Sequence, residues 1–183
     1  ILGNYRLSNT DCIVHAGGLT SNYLTQLAIV GATEQIPVHL IVRAEEPDIL
    51  QGNLLLSEVF GAKIYYIPET SGLTNKELKE ELACELKSQG CTPYVIDYPL
   101  GNYHSYMGYM KGYLEIVGQI ASGELPQIDH IYICSGWHSY LGLAVAESFI
   151  DQKIGITSVR PSCWKDSGIG LLFPDFQNFL HLK

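Results

Sequence analysis

Short apolar runs alternate along the chain with longer amphipathic stretches, and this rhythm sets the fold class. Runs of four or five residues rich in Ile, Val and Tyr, bounded by Gly, Pro or polar positions, predict six strands. They are Cys12–Ala16, Val38–Val42, Lys63–Ile67, Tyr94–Asp97, Ile131–Cys134 and Gly155–Val159. Between them, apolar positions recur at helical spacing over Asn22–Thr33, Asn53–Phe60, Asn75–Ser88, Ser105–Ile120 and Ser139–Ile150. In the third of these, Asn75 is the expected N-cap, and Lys76, Glu77, Lys79, Glu80 and Glu81 form a solvated face. Gly90 stands just beyond, where a left-handed residue closes a helix. Strands separated by helices need crossover connections, which are right-handed and give a largely parallel sheet with helices on its flanks.

One stretch interrupts the rhythm. Ala121–Asp129 contains Gly123 and Pro126 and separates a long helix from a new strand. It divides the chain into a small α/β domain, 11–120, and a partial second α/β unit, 129–183. Beyond Arg160, the residues Pro161, Gly168, Gly170 and Pro174 break any period. That is the pattern expected of a chain end lacking its next strand–helix unit. Such an end leaves sheet edges and apolar surface open near Ile154–Val159, so a homo-oligomer is expected.

Composition narrows the function. A chain of 183 residues with 46% hydrophobic and 16% charged positions builds a core without staples. Lys plus Arg number 11 against 19 Asp plus Glu, a net charge of −8, which argues against nucleic acid or an anionic membrane as partner. No apolar run reaches the roughly 18 residues of a membrane span, and the opening ILGNYRLSNTD lacks the order of a signal peptide. Cys12, Cys84, Cys91, Cys134 and Cys163 form no CxxC and no zinc spacing, so no metal is expected. An odd count without a framework fits a reducing cytoplasm.

Two turns carry candidate chemistry. Ala16-Gly17-Gly18-Leu19-Thr20-Ser21-Asn22 joins the first strand to the first helix. In a parallel sheet that turn lies at the carboxyl edge, where ligands bind, and helix N-terminal N–H groups attract anions. Ser21 and Asn22 add side-chain donors suited to a carboxylate. The same residues would serve equally as an ordinary Gly turn with a Ser or Asn cap. The second turn, Ser135-Gly136-Trp137-His138-Ser139, also leads from strand to helix and offers Ser135 and Ser139 to a phosphate. It reads as well as a capped helix start. His15, in an apolar strand, is a core residue. His104 and His138 lie in turns with no defined acidic or hydroxyl partner, so no catalytic triad is assigned. Tyr98, Tyr103, Tyr106, Tyr109 and Tyr113 are expected to pack as core or rim.

Taken in order, these segments resemble the D-cysteine desulfhydrase and 1-aminocyclopropane-1-carboxylate deaminase family. GGLTSN at Gly17–Asn22 is similar to that family's glycine pair and Gln-Ser-Asn, with Thr20 in place of Gln. QGNLLLSEVFGAKI at Gln51–Ile64 resembles its Gly-Asn-Leu-Leu-Leu helix ending in Gly-Ala. TPYVIDYPLGN with GYMKGYLEI resembles its Pro-x-Gly-Gly-Ser-Asn turn and the helix that follows. CSGWHSYLGLAVA is similar to its phosphate-binding segment. The likeness runs from about Asp11 to Arg160.

The resemblance implies an α/β, tryptophan-synthase-β-like fold with its large domain incomplete. It also implies pyridoxal phosphate as cofactor and a small amino acid as substrate, transformed by β-elimination or ring-opening deamination, a lyase or hydrolase activity. Carried over by position, Ser21 and Asn22 bind the substrate carboxylate, while Ser135, Gly136 and Ser139 belong to the phosphate cup. The chain departs from the pattern at Trp137 and His138, where the family has glycines, and at Leu100–Tyr103, which lacks the full Gly-Gly-Ser-Asn.

The Schiff-base lysine is absent, so no catalytic residue is assigned. In the family it follows Gly-Asn upstream of the first matched strand, and here Gly3-Asn4 is followed by Tyr5. Either Tyr5 replaces the lysine, or Gly3-Asn4 is coincidental and the lysine helix lies before Ile1. The six residues from Tyr5 to Asp11 are too few for a helix of usual length, which favours the second. The expected protein is therefore a fragment or degenerate member, inactive alone. The alternative is a non-catalytic ligand-binding or assembly protein on the same fold. A nucleotide-binding reading is weaker, because no G-x-G-x-x-G follows the first strand.

Overall fold

The computed structural model describes residues 5–6, 8–96, 103–135, 138–151 and 153–159. It divides into two units, Ile1–Asp97 and Tyr98–Lys183. In the first, β1 (Cys12–Gly17), β2 (Val38–Val42), β3 (Lys63–Tyr66) and β4 (Pro93–Val95) form one sheet in the order β3-β2-β1-β4. Every pairing is parallel, with Ile13 beside Val38 and Tyr94, and Leu40 beside Ile64. Helices α1 (Asn22–Glu34), α2 (Gly52–Val59) and α3 (Asn75–Ser88) connect the strands.

The alternation of side chains along β1 assigns each helix to a face. Ile13 packs with Leu24, Leu27, Ala28 and Leu54 of α1 and α2. Cys12, Val14 and Ala16 point the other way, onto Leu78, Leu82 and Leu86 of α3. Both faces being covered explains why β1 and β2 read as continuous apolar runs rather than as alternating ones. Helix α1 lies close to β2 because Gly31 has no side chain. A Cβ there would stand 2.3 Å from Val38 Cγ2 and 2.7 Å from the Ile36 carbonyl oxygen.

Helix α3 starts one residue earlier than its expected cap. Thr74, not Asn75, is the N-cap. Its hydroxyl accepts from the Glu77 N–H at 3.2 Å, and the Glu77 carboxylate accepts from the Thr74 N–H at 2.7 Å. This reciprocal pair satisfies two helix-end donors at once. Gly90 has φ +90°, the left-handed geometry expected of it.

The second unit contains α4 (Tyr103–Ala121), β5 (His130–Cys134), α5 (His138–Ser148) and β6 (Gly155–Val159). Strands β5 and β6 pair in parallel. Tyr113 of α4, Leu143 and Ala146 of α5 and Ile154 form its core, and the Tyr113 hydroxyl accepts from the Ile154 N–H at 3.2 Å. Here the structure differs from the expected 11–120 and 129–183 division. The buried side of α4 (Met110, Tyr113, Ile116, Val117) belongs to this core, so the division falls at Asp97 and the segment around Pro126 is a loop inside the unit. Composition marks a loop well, but it does not say which core the preceding helix joins. The tail after Val159 and the residues Leu100–Asn102 lie outside the described residues.

Candidate functional site

The strand order makes the carboxyl end of β1 special. From β1 the chain builds outward through β2 and β3, then returns to place β4 on the opposite side of β1. Ligands in open parallel sheets bind where the strand order reverses, beyond the carboxyl ends. The turn from Gly17 to Asn22 starts there. It closes with Ser21 N–H donating to the Gly18 carbonyl at 3.1 Å. Ser21 is the N-cap of α1, and its Oγ accepts from the Leu24 N–H at 3.4 Å, a long bond. The capping role foreseen for Ser21 is thus present. Asn22 opens the helix and is exposed. Ser21 and Asn22 are therefore brought together on one turn.

A residue not singled out from the sequence holds this turn in place. Asn53, in the first turn of α2, donates through Nδ2 to the Thr20 carbonyl at 3.0 Å and to Asn22 Oδ1 at 2.8 Å. Its own carbonyl accepts from Thr25 Oγ1 at 3.1 Å and from Ser57 Oγ at 2.8 Å. Thr25 and Ser57 are buried between α1 and α2, so the two helices share one polar seam. Gly52, with φ +57°, supplies the left-handed residue that starts α2 at this spot. Between the turn and residues 47–54 lies a cavity of about 370 Å³, lined by Leu19, Thr20, Pro47, Ile49, Gln51 and Asn53 among others. The signal in the sequence was the Gly-Asn pair ahead of a Leu-rich helix.

Beneath the turn, two ionisable groups are buried at the β1–β4 junction. His15 is 5% exposed, with Nδ1 3.4 Å from the Ile96 carbonyl oxygen and its ring edge-on to Tyr23. Burial first and the Lys79 charge second push its pKa down to about 4, with the Ile96 carbonyl partly opposing both. His15 is thus a neutral core residue, as its apolar strand suggested. Lys79 corrects the expected solvated face of α3. It is only 3% exposed, and its Nζ donates to the Ile96 carbonyl at 2.7 Å.

In the second unit, Ser135 follows β5 directly. Its N–H donates to the Val159 carbonyl at 3.2 Å, and its carbonyl accepts from Ser158 Oγ at 3.1 Å. Its Oγ is buried and has no hydrogen-bond partner among the described residues. An unmet buried hydroxyl costs about 1–3 kcal/mol, and a phosphate oxygen at the start of α5 would satisfy it. The phosphate end of pyridoxal phosphate fits that donor. Ser139 is half-buried in the first turn of α5. Gly136 and Trp137 lie outside the described residues, as do the side chains of His104 and His138. Among the described residues no cluster of His, Cys, Asp or Glu could hold a metal ion, and no helix is long and apolar enough to cross a membrane.

No family model matches the chain. D-cysteine desulfhydrase from Klebsiella pneumoniae is 31% identical over 162 residues, 82% of this chain and 47% of that protein. A Pyrococcus horikoshii protein provisionally named 1-aminocyclopropane-1-carboxylate deaminase is 28% identical over 155 residues, 84% of this chain and 46% of its own length. The chain spans about half the length of the curated relatives it matches. Among solved structures, a homologue of ACC deaminase superposes with a TM-score of 0.71 at 23% identity, covering 100% of this chain and 55% of that one. A hydrogen sulfide-producing enzyme from Fusobacterium nucleatum gives 0.59 at 24% identity, covering 85% and 45%. The chain is thus related, over about half of its members' length, to the D-cysteine desulfhydrase and 1-aminocyclopropane-1-carboxylate deaminase family, and has the parallel α/β fold of tryptophan-synthase-β-like pyridoxal-phosphate enzymes.

Proposed function

We propose that the chain supplies the substrate-carboxylate turn and phosphate-binding residues of a pyridoxal-phosphate-dependent lyase acting on a small amino acid, of the D-cysteine or 1-aminocyclopropane-1-carboxylate type. The observation that carries this reading is the turn at the carboxyl edge of β1, clamped from α2 by Asn53. In the proposal, Ser21 and Asn22 bind and orient the substrate carboxylate. Ser135, Gly136 and Ser139 hold the cofactor phosphate, a role the unmet Ser135 hydroxyl supports. When bound, pyridoxal phosphate is the electron sink that makes elimination at a neighbouring carbon possible. Elimination and ring opening favour a lyase over a hydrolase.

The 183 residues themselves bind without turning over. Their first lysine is Lys63, on β3, so none precedes β1, where the family resemblance places the lysine that holds the cofactor. The alternative, a ligand-binding or assembly protein on the same fold, gains support from the open face of the β5–β6 sheet. Tyr132 there is 73% exposed and Val159 53%, whereas parallel sheets are normally covered on both faces. That face is also the proposed site of homo-oligomer contact. The described cysteines are all free, in keeping with a proposed reducing, cytoplasmic setting.

The full chain, incubated with pyridoxal phosphate and reduced with borohydride, is expected to carry scattered, substoichiometric label on its lysines. No keto acid should appear from D-cysteine or 1-aminocyclopropane-1-carboxylate. Stoichiometric labelling of one lysine together with keto acid release would refute binding without turnover.

A further inference from the structure

We infer that Asn53 is a positioning residue: it turns the side-chain amide of Asn22 so that its N–H groups face outward, and thereby makes the turn select a carboxylate over the matching amide. The inference rests on the proposed carboxylate role of Ser21 and Asn22.

The orientation follows from hydrogen-bond arithmetic. The Thr20 carbonyl can only accept, so the Asn53 atom 3.0 Å from it must be the nitrogen. The same nitrogen lies 2.8 Å from the Asn22 side chain and offers that contact a hydrogen, so the Asn22 atom facing it must be the acceptor, Oδ1. Asn22 Nδ2 is then on the far side of its amide. Its hydrogens are committed to no group among the described residues, and Asn22 is exposed at the start of α1. A group at that position meets two N–H donors and no acceptor. A carboxylate meets them with charged oxygens on both sides, whereas a carboxamide has only one neutral carbonyl oxygen to offer and makes the weaker contact.

Asn53 can impose this because it is itself fixed. Its carbonyl is held by Thr25 from α1 and by Ser57 from the next turn of α2. With alanine at position 53, Thr20 and Asn22 both lose their donor, and the Asn22 amide is free to rotate and present its oxygen.

The test is a double-mutant cycle on the full chain with Asn53→Ala, Asn22→Ala and both together. The probes are 1-aminocyclopropane-1-carboxylate and its carboxamide, titrated against the backbone amide resonance of Ser21. The wild type should prefer the carboxylate. Either single substitution should cut that preference about tenfold, the worth of one charge-assisted hydrogen bond. In the Asn22→Ala background, Asn53→Ala should change it no further. An unchanged preference in Asn53→Ala would overturn the inference. So would equal losses that add in the double variant, because Asn53 would then be acting without Asn22.

A second measurement separates this inference from the reading beneath it. In the wild type, the side-chain amide protons of Asn53 should exchange slowly and those of Asn22 fast. The reverse order overturns the inference whether or not either probe binds. If the exchange order holds but neither probe shifts Ser21, the orientation stands, while the selectivity claim and the carboxylate reading of the turn both fall.

Discussion

His15 is held neutral in the centre of the sheet, and acid should reveal what that costs. Its pKa in the fold is pushed down to about 4, chiefly by burial and then by the Lys79 charge, while its ordinary value is 6.5. Between these values the unfolded chain binds a proton that the folded chain refuses. Stability is therefore full above about pH 6.5 and is lost as the pH falls toward 4. Applied to this gap, the linkage relation gives a loss of about 2 kcal/mol between roughly pH 7.5 and pH 5. That is a large share of the roughly 5–15 kcal/mol that holds a typical domain together.

The perturbation is His15→Leu, which removes the titrating group together with its 3.4 Å contact to the Ile96 carbonyl and its edge-on contact with Tyr23. Urea unfolding followed through the amide resonances of Ile13 to Ala16 reports the first unit alone. Wild type should lose about 2 kcal/mol more than His15→Leu over that pH interval, since the carboxylates common to both cancel. Equal pH dependence in the two proteins would mean that His15 accepts its proton in the folded state. The burial argument would then be wrong.

Three further outcomes are expected. Gly31→Ala drives a methyl into Val38 and against the Ile36 carbonyl, which as backbone cannot step aside cheaply. It should destabilise the first unit by about 1–3 kcal/mol in a denaturant melt, and an unchanged midpoint would show that α1 can move off β2. The Cys12 thiol is pushed up to about 12, first by burial and then by Asp11. Timed alkylation at neutral pH should therefore modify the exposed Cys84 and Cys134 long before Cys12. Early modification of Cys12 would contradict the packing of β1 against α3. Ser135→Ala removes a buried hydroxyl with no partner among the described residues, so it should leave thermal stability unchanged or raise it while weakening binding of pyridoxal phosphate. Lost stability with unchanged cofactor binding would remove Ser135 from the phosphate-binding residues.

The parallel fold was legible because β1 and β2 are covered on both faces and are apolar apart from His15 and His39, which leaves a nearly continuous signal in the sequence. The ends of elements were less legible. Thr74 caps α3 although Asn75 is the better capping residue in isolation, because Glu77 lies three positions from Thr74 and completes the reciprocal pair. Helix α4 was assigned to the wrong neighbour. Its apolar face specifies that it packs, but the core of Leu143, Ala146 and Ile154 that it joins lies downstream in the chain.

The site was legible only where chemistry and position coincide. Gly17–Asn22 announces itself by glycines and hydroxyls at a strand–helix turn. Lys79 does not. It stands in a run of charged residues, Lys76 to Glu81, where helical period alone gives each side chain a direction but not a partner. Position 79 falls beside Leu78 and Leu82 on the side of α3 that meets β1, and the Ile96 carbonyl beyond β4 receives its ammonium. That carbonyl is brought there by the return of β4 to the far side of β1, a choice of strand order that no local pattern encodes. The same topology puts His15 against Ile96. Asn53 is a comparable case on the other face of the sheet. Its amide matters because α2 crosses α1 close enough for Thr25 and Ser57 to share the Asn53 carbonyl. Sequence patterns reveal which residues must be buried and which turns are chemically equipped. The polar residues that fix those turns from a distance are set by strand order and helix crossing, and only the fold exposes them.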